Sequence, residues 1–320
     1  MSEWIANRKM IHVPHQGPSK LTRNIEKDSK LRSKLGSMFE FLRNLTNQPA
    51  GAVGLLMVGG LILAALFAPH ISPYDPIAQD IPNRLAGPSL DHFLGTDYLG
   101  RDFLSRIIFG ARVALLVSLP AVFIALTAGL ILGLLAGYRG GMIDLIVVTI
   151  TDTLQAFPGL ILALALLSVF DPSNTNLIVV IAFAFTPGYM RISRALTLNI
   201  KNRSFIVAEQ ALGSSPLYII RKHIFPNVLP PVLILIAMNL SQAIIIEAGL
   251  SFLGLGVRPP NPSWGAMLHD GFEYMRLSPW GVIWSGLALM VATFGFTIVG
   301  ESIRDVVDPR LVSSQRIREL

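Results

Sequence analysis

Long apolar stretches recur along this 320-residue chain, and they constrain its fold more than any other feature. Hydrophobic residues make up 52% of the sequence and charged residues 14%, whereas a soluble domain carries about a quarter charged residues. About 20 consecutive apolar residues cross a bilayer as a helix, which satisfies its own backbone hydrogen bonds. The pattern therefore predicts an all-α polytopic membrane protein with six transmembrane helices, at about 51–68, 113–137, 143–170, 177–190, 228–253 and 281–300.

Prolines punctuate these predicted helices. Pro69 is expected to end the first helix and Pro158 to kink the third, because proline lacks the N–H that continues a helix. Pro187 and Gly188 lie in a fourth helix that is predicted to be short. After the fifth helix, the proline-rich segment 259–264 is expected either to cap the bundle or to form part of an outer gate or docking surface.

The distribution of Lys and Arg orients the predicted helices. With the N-terminus inside, 20 of the 26 cationic residues fall in inner segments, as the positive-inside rule requires. Both termini are therefore expected in the cytoplasm, and the basic tail 1–49 is expected to lay an amphipathic helix, about 30–45, on the inner membrane surface. The polar segment 69–110 is then external, with a short interfacial helix that begins after an Asp102 cap.

A polar stretch at 200–230 interrupts the membrane pattern. Gly213 breaks it, Ser215 is placed as an N-cap, and Pro216 follows at the first helical position, where its missing N–H costs nothing. Apolar residues then recur at helical spacing: Leu217, Ile220 and Ile224. The stretch predicts two short helices joined by a Gly-Ser elbow, which either fit the groove of a cytoplasmic partner or merely connect two membrane helices.

This stretch resembles the cytoplasmic coupling loop of binding-protein-dependent ABC transporter permeases, whose signature is Glu-Ala-Ala, three residues, Gly and later Ile-x-Pro. Gly213 and the run Ile224-Phe225-Pro226 match its later part, whereas Val207 stands at the glutamate position and Glu209 is expected to supply the acidic group. The resemblance implies contact between loop 200–226 and an ATPase subunit. The residues placed at that contact are Ala208, Glu209, Ala211, Gly213, Ser215, Pro216, Leu217, Tyr218, Ile224 and Pro226.

Three further stretches, at 93–112, 251–268 and 303–311, resemble permeases of the dipeptide/oligopeptide/nickel branch. The resemblance implies the MetI-like fold of type I ABC importer permeases, with both termini cytoplasmic. It also implies a homologous permease subunit as partner, two ATPase subunits that bind ATP and Mg, and an external substrate-binding protein. The organisation expected is a tail at 1–49, a first helix and external segment at 50–110, a permease core at 111–311 and a C-terminal tail at 312–320.

The sequence shows no catalytic site. None of its lysines follows a glycine as in a phosphate-binding loop, and neither G-x-S-x-G nor H-E-x-x-H occurs. The chain has no cysteine, and its six histidines lack the spacing of metal ligands. We therefore expect a transport subunit that is no enzyme, binds no cofactor or metal, contacts membrane lipid and needs no nucleic acid.

Two carboxylates, Asp152 and Glu247, lie inside apolar stretches. Each costs roughly 2.5–3.5 kcal/mol at the centre of a membrane helix, so neither should face lipid. They are expected either to form hydrogen bonds inside the bundle, for example from Asp152 to Thr149, or to line a polar pathway near a subunit interface. An ion-coupled secondary carrier that uses both carboxylates, and a scaffold that does not transport, are the alternatives from other classes.

Glycines recur every four residues in the second predicted helix: Gly129, Gly133 and Gly137. Small residues at this spacing let helix backbones approach closely in lipid. This face is therefore expected to pack tightly against another helix. The substrate stays open among dipeptides, longer peptides, glutathione-like molecules and chelated nickel.

Overall fold

The computed structural model describes residue 43 and residues 45–170 and 173–307, which are almost entirely helical. The helices are α1 Pro49–Ile71, α2 Phe103–Arg139, α3 Gly141–Gln155, α4 Gly159–Leu167, α5 Asn174–Lys201, α6 Ser204–Ala211, α7 Pro216–Phe252, α8 Trp264–Glu273 and α9 Trp280–Val307. A short 3₁₀ turn lies at Ile81–Asn83. The predicted amphipathic helix at 30–45 and the C-terminal tail fall almost wholly outside the described residues.

Five of the described helices are long and apolar enough to cross a membrane: α1, α2, α5, α7 and α9. The helices α3 and α4, which are bent by 91° at their junction, pass the same test only as a pair and would make a sixth crossing if they form one broken span. Pro158 stands at the start of α4, where its missing N–H ends the preceding helix. The predicted break at Pro158 is therefore confirmed, and it is sharper than a kink.

The segment 69–110 contains no separate short interfacial helix, contrary to the prediction. Phe103 begins α2, which continues without interruption to Arg139. The Asp102 cap is confirmed, because its carboxylate accepts a hydrogen bond of 2.8 Å from the Ser105 N–H. Phe103 is buried rather than interfacial. The helix continues because residues 103–112 contain neither proline nor paired glycines that would end it.

The fourth membrane helix is longer than predicted. α5 passes through Pro187 and Gly188 and ends at Lys201, not at about 190. A proline is tolerated inside a membrane helix because neighbouring groups satisfy the carbonyl that it leaves free. As a result, Arg191 and Arg194 are helical residues of α5. In the same way, α1 includes Pro69 and ends at Ile71.

The seam between α2 and α5 fixes the centre of the fold, and the glycine series lies along it. A Cβ atom added at Gly129 would stand 2.5 Å from the Tyr189 Cβ, and one at Gly133 would stand 2.6 Å from the Met190 carbonyl oxygen. At Gly137 it would stand 2.8 Å from the Thr197 Cβ. The two backbones therefore approach too closely for any side chain on this face of α2.

Candidate functional site

The elbow between α6 and α7 has the local geometry that its sequence predicts. Gly213 adopts a φ of +83°, in the left-handed region that glycine enters without strain. The Ser215 hydroxyl accepts a hydrogen bond of 3.4 Å from the Tyr218 N–H, and Pro216 opens the helix that follows. This part of the prediction is confirmed.

The second helix of the elbow is not a separate short helix, because it continues into membrane helix α7 as far as Phe252. A π-helical turn at Ile220–Ile224 adds one residue to the turn and shifts the buried face. Ile219 and Ile224 are consequently buried five positions apart, whereas Leu217 is 74% exposed. Ile220 packs against the core and Ile224 is buried, so the predicted apolar face is confirmed for these two residues and wrong for Leu217.

Glu209 ties the two sides of the elbow together. Its carboxylate accepts a hydrogen bond of 2.5 Å from the Ser214 hydroxyl, and its carbonyl oxygen accepts one of 3.1 Å from the Ser214 N–H. The same carboxylate lies 3.4 Å from Nε2 of His223 on α7. Glu209 thus connects α6 to α7, while Ile206 of α6 is buried beneath them.

The outer surface of the elbow carries exposed apolar side chains. We call Val207, Leu212, Leu217 and Tyr218 the exposed ridge; Leu212 is 84% exposed and Leu217 74%. Lys222 donates a hydrogen bond to the Tyr218 hydroxyl and lies 4.8 Å from the centre of its ring. Among the predicted contact residues, Glu209 is half-buried and Ile224 is buried. The others lie exposed on the surface: Ala208, Ala211, Gly213, Ser215, Pro216, Leu217, Tyr218 and Pro226. Such a surface can dock into an apolar groove of another protein.

Asp152 does not bond to Thr149. Its Oδ1 accepts a hydrogen bond of 2.8 Å from Nη2 of Arg191, while the Thr149 hydroxyl donates to the Leu145 carbonyl. The sequence analysis missed Arg191 because it ended the fourth helix before that residue. Continuation of the helical pattern through Pro187 was the signal that could have found it.

Glu247 is buried inside the bundle of α7 and the loop that follows. It accepts hydrogen bonds of 2.7 Å from the Ser251 hydroxyl and 3.0 Å from the Ser263 hydroxyl. The Ser251 oxygen in turn accepts one of 3.2 Å from the Val257 N–H. Bonding inside the bundle is therefore confirmed for Glu247, which fixes the proline-rich loop to α7.

The segment 69–110, for which the sequence predicts only a packed turn, contains a buried ionic network. Asp97 lies 2.6 Å from Arg101 and 3.5 Å from Arg106, and all three side chains are almost fully buried. Arg101 also lies 3.7 Å from Asp270 of α8. Burial raises the pKa of the Asp270 carboxyl above its usual value, and Arg101 offsets part of that rise. The alternation of acids and arginines in 97–106 was the available signal.

Two protein families and one solved structure match this chain. The family described as binding-protein-dependent transport system inner membrane component matches residues 129–313. The N-terminal TM domain of oligopeptide transport permease C matches residues 37–88. In overall fold the chain resembles a chain of the MetNI methionine ABC transporter in an inward-facing conformation, with a TM-score of 0.52 and 20% identity over 63% of this chain and 97% of that one.

Curated relatives are similar over most of the chain. Dipeptide transport system permease protein DppC of Alkalihalophilus pseudofirmus is 38% identical over 274 residues, which cover 86% of this chain and 90% of that protein. Glutathione transport system permease protein GsiD of Pectobacterium atrosepticum is 37% identical over 86% and 91%. Nickel transport system permease protein NikC of Escherichia coli is 36% identical over 82% and 94%.

Proposed function

The chain belongs to the family of binding-protein-dependent transport system inner membrane components, and we propose that it forms half of the translocation pathway of an ATP-driven importer of di- and oligopeptides. It is a multi-pass inner-membrane permease subunit of the type I ABC importer class whose relatives are named for dipeptide, glutathione and nickel transport. Membership in this family decides against the ion-coupled secondary carrier and against the scaffold that does not transport.

A peptide substrate is supported by the chemistry that the relatives' names share. Two of them are named for dipeptides or di/tripeptides, at 38% and 36% identity. Glutathione is itself a tripeptide, so the relatives named for it transport a molecule of the same class. Nickel chelates are the alternative substrate, since the relative named for nickel is 36% identical.

The exposed ridge is the observation that most directly supports an ATPase subunit as partner. Leu212 and Leu217 stand open in the isolated chain, although burial of a leucine side chain contributes about 1.5–3 kcal/mol. In this proposal the ridge docks on an ATPase subunit, which binds ATP and Mg in place of this chain. A homologous permease forms the other half of the pathway, and an external binding protein delivers the substrate.

The elbow is built to pass on movement. ATP binding closes the two ATPase subunits and draws the elbows of the two permeases together in this mechanism. Because Glu209 joins α6 to α7, displacement of the elbow is transmitted along the helix that crosses the membrane. The pathway then changes from inward-open to outward-open and accepts substrate from the binding protein.

The docking is testable with single thiols, because the chain has no cysteine of its own. Ser215→Cys and Tyr218→Cys, carrying a thiol-linked photo-cross-linker, are expected to cross-link to the ATPase in the assembled complex. Asp91→Cys, in the segment that is predicted to be external, is the matched control. An impermeant thiol reagent should label it when added outside and not when added inside. Cross-links that never reach the ATPase, or labelling of Ser215→Cys from outside, would overturn the proposed docking and the cytoplasmic position of the elbow.

The substrate is tested separately by uptake. Cells that produce the complete transporter with its own binding protein are supplied with a radiolabelled dipeptide, glutathione or chelated nickel. Saturable dipeptide uptake that requires ATP supports the proposal. Uptake of chelated nickel alone would replace the substrate while leaving the permease assignment intact.

A further inference from the structure

Two ion pairs connect α3 to α5, and they differ in the number of their hydrogen bonds and in their exposure to solvent. Asp144 accepts hydrogen bonds of 2.5 Å from Nε and 2.6 Å from Nη2 of Arg194, and these side chains are 20% and 30% exposed. Asp152 accepts a single bond of 2.8 Å from Nη2 of Arg191, and these side chains are 55% and 60% exposed. We call Asp144 and Arg194 the closed pair, because two hydrogen bonds join them. We call Asp152 and Arg191 the open pair, because one hydrogen bond joins them and both side chains are exposed.

Arg191 lies on α5, which is long and apolar enough to cross the membrane, and Asp152 lies on α3, which passes that test as a pair with α4. The exposed side of this open pair is therefore not expected to face lipid. Charged side chains in membrane helices face the protein interior or a water-filled cavity. Within the described part of the chain, Thr151 is the one buried residue of α3, so α3 presents most of its surface to something other than this chain. In an importer built from two permease subunits, that surface adjoins the pathway between them.

We propose that Asp152 and Arg191 bind the two charged ends of a zwitterionic substrate inside the pathway. The Asp152 carboxylate takes the ammonium group, and the Arg191 guanidinium takes the carboxylate. The ligand class is short peptides with free termini, so this inference rests on the proposed function of peptide import.

The open pair can exchange partners at low cost. An exposed ion pair contributes only about 0–1 kcal/mol, because water competes for both groups. Substrate binding replaces one ion pair by two, and the planar guanidinium can hold a carboxylate through two N–H groups. Arg191 offers one N–H to Asp152, which leaves further donors for the substrate.

The closed pair keeps the site in place while the open pair exchanges. Asp144 lies eight residues before Asp152 on α3, and Arg194 lies three residues after Arg191 on α5. The bidentate contact of Asp144 with Arg194 therefore holds α3 against α5 close to the open pair. Asp144 and Arg194 thus give a matched comparison of the same residue types on the same two helices.

The test measures equilibrium binding to the complete complex of both permeases and their ATPases in lipid nanodiscs, without binding protein. Radiolabelled Ala-Ala is the probe, and unlabelled Ala-Ala, N-acetyl-Ala-Ala and Ala-Ala amide are the competitors. The wild-type complex is expected to bind Ala-Ala saturably and to bind each capped peptide at least tenfold more weakly. Absence of saturable Ala-Ala binding to the wild-type complex overturns the inference.

The variants separate recognition from a structural role. Asp152→Asn should weaken Ala-Ala at least tenfold and lose discrimination against N-acetyl-Ala-Ala, while Arg191→Gln should lose discrimination against Ala-Ala amide. Arg191→Lys keeps the charge and should retain part of that discrimination. It is the second variant to measure if Arg191→Gln fails to assemble. Asp144→Asn, which loosens the contact of α3 with α5, should weaken all three peptides to the same degree and therefore keep the preference for free termini. Equal weakening of all three peptides by Asp152→Asn and Arg191→Gln would show that the pair is only structural.

The proposed function has separate readouts, so the two failures are distinguishable. Co-purification of the ATPases and ATP-dependent uptake of a dipeptide report on the permease assignment. If both persist while the preference for free termini is unaffected by Asp152→Asn, the binding site is wrong and the importer stands. If dipeptide uptake is absent in the wild type, the proposed substrate fails first.

Discussion

Two polar connections of this chain are built in opposite ways. The connection 72–102, which we name the outer connection after its predicted side, buries a charged pair: Asp97 and Arg101 are almost fully covered and paired with each other. The connection 202–218, which we name the inner connection after its predicted side, leaves most of its large apolar side chains exposed: Leu212 is 84% exposed and Leu217 74%, whereas Ile206 is buried. The outer connection thus pairs these charges within its own chain, whereas the inner connection has exposed apolar side chains that the proposed contact with the ATPase would cover.

The physical costs explain the difference. A buried charge without its partner costs several kcal/mol, so the outer connection must carry all its partners within the chain. An exposed leucine costs little in an isolated chain, and its burial on docking contributes to affinity. Four changes test this contrast, in falling order of their expected effect on the free energy of unfolding.

Removal of the central carboxylate of the outer connection should have the largest effect. Asp97→Asn leaves Arg101 and Arg106 buried without their ionised partner, so we expect a loss of about 3–5 kcal/mol. The midpoint of thermal unfolding of the purified permease in detergent measures it. Asp91→Asn, an exposed carboxylate of the same connection, should stay within about 0.5 kcal/mol of wild type. Equal midpoints for the two variants would contradict the network.

The helices α2 and α5, which meet at the glycine seam, each adjoin one of the two connections. Overpacking of this seam should have the second largest effect on the free energy of unfolding. In Gly133→Ala the new methyl group would lie 2.6 Å from the Met190 carbonyl oxygen, so we expect a loss of about 1–3 kcal/mol. Gly59→Ala on α1 is the matched control, because its methyl group would meet no atom within 4 Å. If Gly133→Ala were as stable as Gly59→Ala, the two helices would be farther apart at Gly133 than the 2.6 Å contact indicates.

Asp270 should give a smaller, pH-dependent effect on the outer connection. Its folded-state pKa is raised by burial, so its contribution to stability is present in full below the unfolded-state pKa of about 4 and is lost as the pH rises through the folded-state value. Asp270→Asn removes this titration. The stability of the variant relative to wild type should therefore rise between pH 4 and pH 7.

Thermal unfolding at several pH values measures this trend. A relative stability of Asp270→Asn that falls with rising pH would mean that Arg101, not burial, dominates the environment of this carboxylate.

The inner connection should show the smallest effect on stability together with a loss of association. The double variant Leu212→Ser and Leu217→Ser should unfold within about 0.5 kcal/mol of wild type, because both side chains are exposed. Its affinity for the ATPase should fall at least tenfold, since burial of each leucine contributes about 1.5–3 kcal/mol. Co-purification of the ATPase at graded concentrations measures this loss. Leu90→Ser, an equally exposed leucine of the outer connection, should leave ATPase binding unchanged.

Local features of this protein were determined by its sequence alone. The membrane helices, the Asp102 cap, the break at Pro158 and the Gly213 elbow each depend on residues within a few positions of one another. Their causes are apolar length, a capping carboxylate, a missing N–H and a left-handed backbone. The cytoplasmic position of both termini stays a prediction, and so does the division into a tail, a first helix and a core.

Only the tertiary structure decided which residues meet. Asp152 pairs with Arg191 and Arg101 with Asp270 across separations of 39 and 169 positions, and neither pair follows from local spacing. The uninterrupted course of α5 through Pro187 and the π turn that exposes Leu217 likewise depend on packing against neighbouring helices. Helix propensity and periodicity describe one segment at a time, whereas the partner of a charge is set by how the segments pack.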